Sequence, residues 1–275
     1  MNSNLRMRLS FYVVASVVLL GLPPCWSQDQ IDQASLTSLK ISILRNNVEI
    51  GTATGFVMDR HNKHYLLTNR HVMLACGHDR NPGNIGAWIC ANKLAILHNK
   101  LNRPGEWFWV AEDLFDEHGN KRWLEHPTLG GGADLVALPL QNTGGVQFYP
   151  LDIELRKTDI VVGPGDAVSI VGFPLGLSQE LGLPIWKTGT VASDFHTNWN
   201  GKPMFLVDTT SRPGMSGSPV YAVRTGVYAT SQRALMMNAG AARKFLGVYS
   251  EQMLDVEVGG VWKAEAVAAL YDALP

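Results

Sequence analysis

Charge of one sign, cysteine and helical periodicity are all scarce in this chain, and each scarcity excludes something. Lys and Arg total 23 against 24 Asp and Glu, a formal net charge of -1 with no polybasic run, so the charge pattern asks for no nucleic acid or other anionic partner. At 46% hydrophobic residues the chain is nevertheless too apolar to be disordered. No Gly-Lys-Ser/Thr phosphate loop and no helix-opening Gly-x-Gly-x-x-Gly occurs, which leaves nucleotide chemistry without local support. A metal hydrolase built on His61, His64 and His71 would lack the His-Glu-x-x-His helix that such enzymes use. Neither a metal nor a cofactor is expected.

The N-terminus differs in character from the rest. Arg6 and Arg8 precede an apolar run from Phe11 to Leu22, and polar Ser27-Gln28-Asp29-Gln30 follows. This is the order of a secretory signal peptide over residues 1–27, with an uncleaved membrane anchor as the other reading. Export would leave residues 28–275 secreted or periplasmic, with no membrane contact after cleavage. Of 3 cysteines, Cys76 and Cys90 then remain. An oxidising compartment permits one disulfide between them, stapling the segment after His71; two separate buried thiols are the alternative.

What the chain does have, from residue 38 onward, is a series of short apolar or alternating segments separated by glycine, proline and asparagine turns. Strands are expected at Leu39–Leu44, Thr54–Met58, Tyr65–Thr68, Ala87–Ala91, Trp107–Glu112, Leu135–Leu140, Ala167–Val171, Trp186–Val191, Met204–Val207, Pro219–Val223 and Phe245–Tyr249. So many short strands indicate barrels or sandwiches. Lys263–Tyr271 alone has a helical face, formed by Ala264, Val267, Ala268, Leu270 and Tyr271. Two halves meet near Gln141–Leu151. Trp107, Trp109 and Trp123 flank the polar turn Asp116–Lys121, which reads as an inserted hairpin whose aromatics pack into the core.

Three segments carry chemistry. In Arg212-Pro213-Gly214-Met215-Ser216-Gly217-Ser218-Pro219 a serine sits among small residues. A hydroxyl becomes a useful nucleophile only with a base to take its proton and donors to receive the developing charge, and the Gly214 and Ser216 N–H groups can form such an oxyanion hole. Alone, this segment could equally be a plain turn before a strand. In Tyr65-Leu66-Leu67-Thr68-Asn69-Arg70-His71 an apolar strand ends in a corner from which a histidine, a base suited to neutral pH, projects. In Gly131-Gly132-Ala133-Asp134-Leu135-Val136 an aspartate opens an apolar strand, where accepting the His71 Nδ1–H would give it a partner; an exposed capping aspartate is the simpler alternative. An esterase of the α/β-hydrolase type is excluded by order, since no histidine follows Ser216.

In the order His, Asp, Ser, these segments resemble the trypsin-like serine protease superfamily, and in particular HtrA-like and glutamyl-endopeptidase-like protease domains. Gly51–Phe56 resembles the strand before the histidine corner, Gly163–Pro174 the start of a second barrel, and Phe245–Tyr249 the strand after the nucleophile. The resemblance implies two antiparallel β-barrels, about residues 38–140 and 150–260, with a C-terminal helix at about 262–272. It implies an endopeptidase in which Ser216 attacks a protein or peptide substrate, His71 is the base and Asp134 orients it. Thr210, Ser211, Tyr249 and Ser250 would surround the substrate pocket, and none of them carries the charge that a preference for Arg or Lys needs. A peptide-binding member of the same fold that does not cut is the other function such a chain could have.

Overall fold

The computed structural model describes residues 31–275 except 79–87, Pro104, Arg233 and Leu254; residues 1–27, read from sequence as a signal peptide, and Ala87 lie outside the described residues. The first half forms one antiparallel sheet of eight strands. Its path runs β10-β6-β1-β2-β3-β9-β8, with β7 on the free side of β6. The strands are β1 (Ser38–Arg45), β2 (Val48–Arg60), β3 (Lys63–Thr68), β6 (Lys93–Lys100), β7 (Trp107–Asp113), β8 (Leu124–Glu125), β9 (Val136–Pro139) and β10 (Val146–Gln147). Two-residue turns set the register. Asn46-Asn47 joins β1 to β2 and His61-Asn62 joins β2 to β3, all four with φ between 47° and 67° as the twist-matched hairpin turn requires. A short pair, β4 (Cys76–His78) and β5 (Trp88–Cys90), stands apart from this sheet.

The second half closes into a six-stranded antiparallel barrel in the order β11-β12-β13-β16-β15-β14. Its strands are β11 (Ala167–Gly172), β12 (Ile185–Val191), β13 (Met204–Asp208), β14 (Pro219–Ala229), β15 (Leu235–Met253) and β16 (Val258–Lys263). Each half has its own core, with Ile41, Leu66 and Leu94 in the first and Val168, Phe205 and Leu246 in the second. A third core joins Phe56, Tyr65 and Leu67 of the first half to Tyr221, Phe245 and Trp262 of the second. The terminal helix α3 (Ala264–Asp272) covers that junction with Val267 and Leu270. Two shorter helices are α1 (Gln33–Thr37) and α2 (Arg70–Met73). The chain is thus all-β with a C-terminal helix, as expected.

Two local readings are corrected. Strand β6 escaped the alternation rule because His98 and Asn99 are buried polar residues among its apolar ones. With β6 present, the Trp-rich segment is not a self-contained hairpin: Trp107–Asp113 pairs with Lys93–Asn99. The Asp116 turn is closed locally, its Oδ1 accepting the N–H groups of His118 (2.9 Å) and Asn120 (2.8 Å). Trp123 is buried in the core, whereas Trp109 is exposed.

Candidate active site

The strand β3 ends at Thr68 and the chain turns into α2, so that His71 projects from the corner beside Asp134, which stands just before β9. The carboxylate holds the histidine twice. Asp134 Oδ2 accepts from His71 Nδ1 at 2.7 Å and Oδ1 accepts the His71 backbone N–H at 2.8 Å. Ser250 Oγ donates to the same Oδ2 at 2.6 Å, and Asn69 Nδ2 donates to the Asp134 carbonyl at 2.7 Å. Burial alone would push the Asp134 carboxyl up. The hydrogen bond and charge of His71, with the Ser250 hydroxyl and the His71 N–H, outweigh it and hold the carboxyl below the usual aspartate range. An ionised carboxylate cannot donate, so the proton lies on Nδ1 and leaves the lone pair on Nε2.

Ser216 sits on the turn before β14, and the glycines around it are dictated by geometry. Gly214 has φ +98° and a Cβ there would lie 2.3 Å from the Phe173 carbonyl oxygen; Gly217 has φ +87° and a Cβ would lie 1.9 Å from the Thr54 carbonyl oxygen. Two carbonyls of the turn are anchored away from the cleft: Pro213 O accepts from Leu175 N–H at 2.6 Å, and Met215 O from Ser218 N–H at 3.0 Å. In a trans peptide the N–H points opposite to the preceding C=O. The N–H groups of Gly214 and Ser216 are therefore turned away from those anchors, and neither has a hydrogen-bond acceptor among the described residues. The Ser216 hydroxyl donates to the Ser250 carbonyl at 3.1 Å rather than to His71.

His71, Asp134 and Ser216 line one cleft of about 690 Å³, together with Ser211, Tyr249 and Ser250. Thr210 does not line it; its hydroxyl meets Lys187 Nζ at 3.0 Å, on the outside of the barrel. Tyr249 is 2% exposed, with its ring against Gly259, and its hydroxyl has no partner in bonding geometry. Burial pushes that phenol up against the pull of Ser211 beside it, and the negative charge of Glu251 adds to the rise. Ser250, read from sequence as a pocket residue, also bridges Asp134 and Ser216 through its hydroxyl and its carbonyl. Cys76 and Cys90 face each other across β4 and β5 and are joined by a disulfide, on an exposed surface rather than as buried thiols. Thr54, to which sequence reasoning assigned no role, donates to the Gly214 carbonyl at 2.8 Å.

Several solved structures are similar to this chain. A serine endoprotease from Yersinia pestis is 16% identical with a TM-score of 0.45, covering 87% of this chain and 66% of its own. The Rv3671c protease from M. tuberculosis in its active form is 16% identical with a TM-score of 0.49, covering 87% and 81%. The HtrA-type protease AlgW with a tripeptide is 13% identical with a TM-score of 0.46, covering 88% and 60%. The chain thus spans less than two thirds of the Yersinia and AlgW chains. No curated protein matches. The model of the trypsin-like peptidase domain matches residues 53–228, more than half of the chain and the stretch that holds His71, Asp134 and Ser216. With that match over a strand-built body whose two halves share one cleft, the chain belongs to the trypsin-like peptidase family.

Proposed function

We propose that the protein is a serine endopeptidase working by acyl transfer. The observation that carries this reading is the Asp134–His71 pair in the same cleft as Ser216, on a turn whose Gly214 and Ser216 N–H groups are unpaired among the described residues. His71 takes the Ser216 proton as Oγ attacks the peptide carbonyl, and the Gly214 and Ser216 N–H groups receive the oxyanion. The tetrahedral adduct collapses as His71 returns the proton to the leaving amine. Water, deprotonated by His71, then hydrolyses the ester and frees Ser216. The Ser216 hydroxyl has to leave the Ser250 carbonyl for Nε2, a rotation about χ1 between staggered wells; such contacts commonly tighten only with substrate bound.

The resting Ser216–Ser250 bond is also what favours the second reading, a peptide-binding member that does not cut. Labelling with a fluorophosphonate separates the two. Wild type is expected to label, and Ser216→Ala to lose both labelling and peptide hydrolysis; a folded wild type that never labels sinks the peptidase reading. An oxidising compartment, secreted or periplasmic, is proposed from the exposed disulfide together with the N-terminal pattern. Cell fractionation and N-terminal sequencing of the mature protein test it, and a full-length cytoplasmic product refutes it.

A further inference from the structure

Thr54 lies on β2, in the half that carries His71, yet three of its four polar bonds cross to the half that carries Ser216. Its N–H donates to the Ser216 carbonyl at 2.8 Å, its hydroxyl donates to the Gly214 carbonyl at 2.8 Å, and its Oγ1 accepts the Phe173 N–H at 3.1 Å. The fourth bond, from Thr68 Oγ1 to the Thr54 carbonyl at 2.8 Å, fixes Thr54 from its own side. The side chain is fully buried, so water cannot replace any partner. A hydroxyl has one proton. With the oxygen already receiving the Phe173 N–H, that proton is committed to the Gly214 carbonyl. Gly172 leaves the space this needs, since a Cβ there would lie 2.8 Å from Thr54 Oγ1.

We infer that Thr54 is a positioning residue for oxyanion stabilisation, holding Gly214 from the opposite half of the molecule. This rests on the serine-peptidase reading. Gly214, at φ +98°, could swing either adjoining peptide plane at little cost if unrestrained. The Leu175 N–H pins the plane on its N-terminal side and the Thr54 hydroxyl pins the other. Without the hydroxyl the Gly214 carbonyl and the Phe173 N–H both lose their partner, so the plane that carries the Gly214 N–H is held only by Leu175, from a segment no longer tied to Thr54. An oxyanion donor acts only if it is aimed before the charge develops.

The test compares Thr54→Val, which keeps the shape and removes the hydroxyl, with Thr54→Ser, which keeps the hydroxyl. Expected for Thr54→Val is a kcat lower by about 100-fold with KM within about threefold of wild type, and Thr54→Ser within about threefold of wild type on both. Affinity for a peptidyl aldehyde, whose adduct places an oxygen in the hole, should fall in step with kcat, while affinity for a product peptide should not. A residue that merely stabilised the fold would lower both affinities together through the folded fraction. A folded Thr54→Val with wild-type kcat overturns the inference. Should Thr54→Val not fold, Thr54→Ser decides: kcat near wild type supports the role, and kcat below a tenth of wild type refutes it. A wild type that neither labels with a fluorophosphonate nor cleaves any peptide fails the peptidase reading itself, a different result from either.

Discussion

Asp134 is where a single residue's environment determines both chemistry and stability. Its carboxyl is 26% exposed and collects three donors from His71 and Ser250, which hold it ionised below the ordinary aspartate range. A carboxyl with a lower pKa in the folded state stabilises the fold above its unfolded pKa, about 3.9. That stabilisation is lost as pH falls from there through the depressed folded value. Urea midpoints measured across pH should therefore show an acid limb starting near that point, and Asp134→Asn should lack this part of it. The same substitution leaves Nδ1 facing an amide, where the wrong tautomer becomes available, and kcat should drop by roughly 10³–10⁴-fold with the fold intact. At Tyr249 the expected change is one of selectivity. Its buried ring and the uncharged Ser211 line the cleft that holds Ser216, so Tyr249→Ala is expected to extend cleavage to larger residues in a peptide-library profile. An unchanged profile would rule out a limiting role for that ring.

Among the elements, the nucleophile turn has the least tolerance. Gly217→Ala would force a side chain into the left-handed region and against the Thr54 carbonyl at 1.9 Å, an expected loss of at least about 3 kcal/mol, read from the urea midpoint. The Ser216 motif was legible only beside the His71 and Asp134 segments, since small residues in that order could alone make a plain turn. The Gly214 and Ser216 donors were named from sequence as groups that could form the hole, but only packing shows Leu175 and Ser218 bonding the carbonyls on their far side. The disulfide follows the same division. Sequence pointed to a disulfide with two separate thiols as the alternative, and only the β4–β5 pairing brings Cys76 opposite Cys90, with a sequence separation of 14. Reduction should lower stability by about 3 kcal/mol, the loop-closure value for ~15 residues, measured as the difference between urea midpoints with and without reductant.

For the molecule as a whole, the cleft exists because two separately cored halves are held in one arrangement. The junction core and α3 do that holding: Val267 and Leu270 are buried against residues of both halves. Leu270→Ala should cost about 2–5 kcal/mol, and should lower one common thermal transition rather than release one half early. Two resolved transitions in calorimetry would show that the halves fold independently of the helix. Thr54 serves the same junction from inside the site, which is why its loss is expected to register in kcat.

His71 and Ser216 were picked out by motif together with their order in the chain, and Asp134 mainly by resemblance. The all-β class and the terminal helix were readable from local pattern, because turn residues, period-two alternation and helical periodicity act over a few neighbours. Strand β6 was not, since buried His98 and Asn99 imitate a polar loop. Nor were the pairing of Trp107–Asp113 with β6, the absence of Thr210 from the cleft, the Ser216–Ser250 bond or the four bonds of Thr54. Apart from the β6–β7 pairing, which follows once β6 is recognised, these join segments apart in the chain, and partner and direction for a hydrogen bond are set by where backbones meet after packing. Sequence by itself determined which groups are present for the chemistry; tertiary structure decided which of them face each other, because that depends on the closure of one barrel against the other sheet.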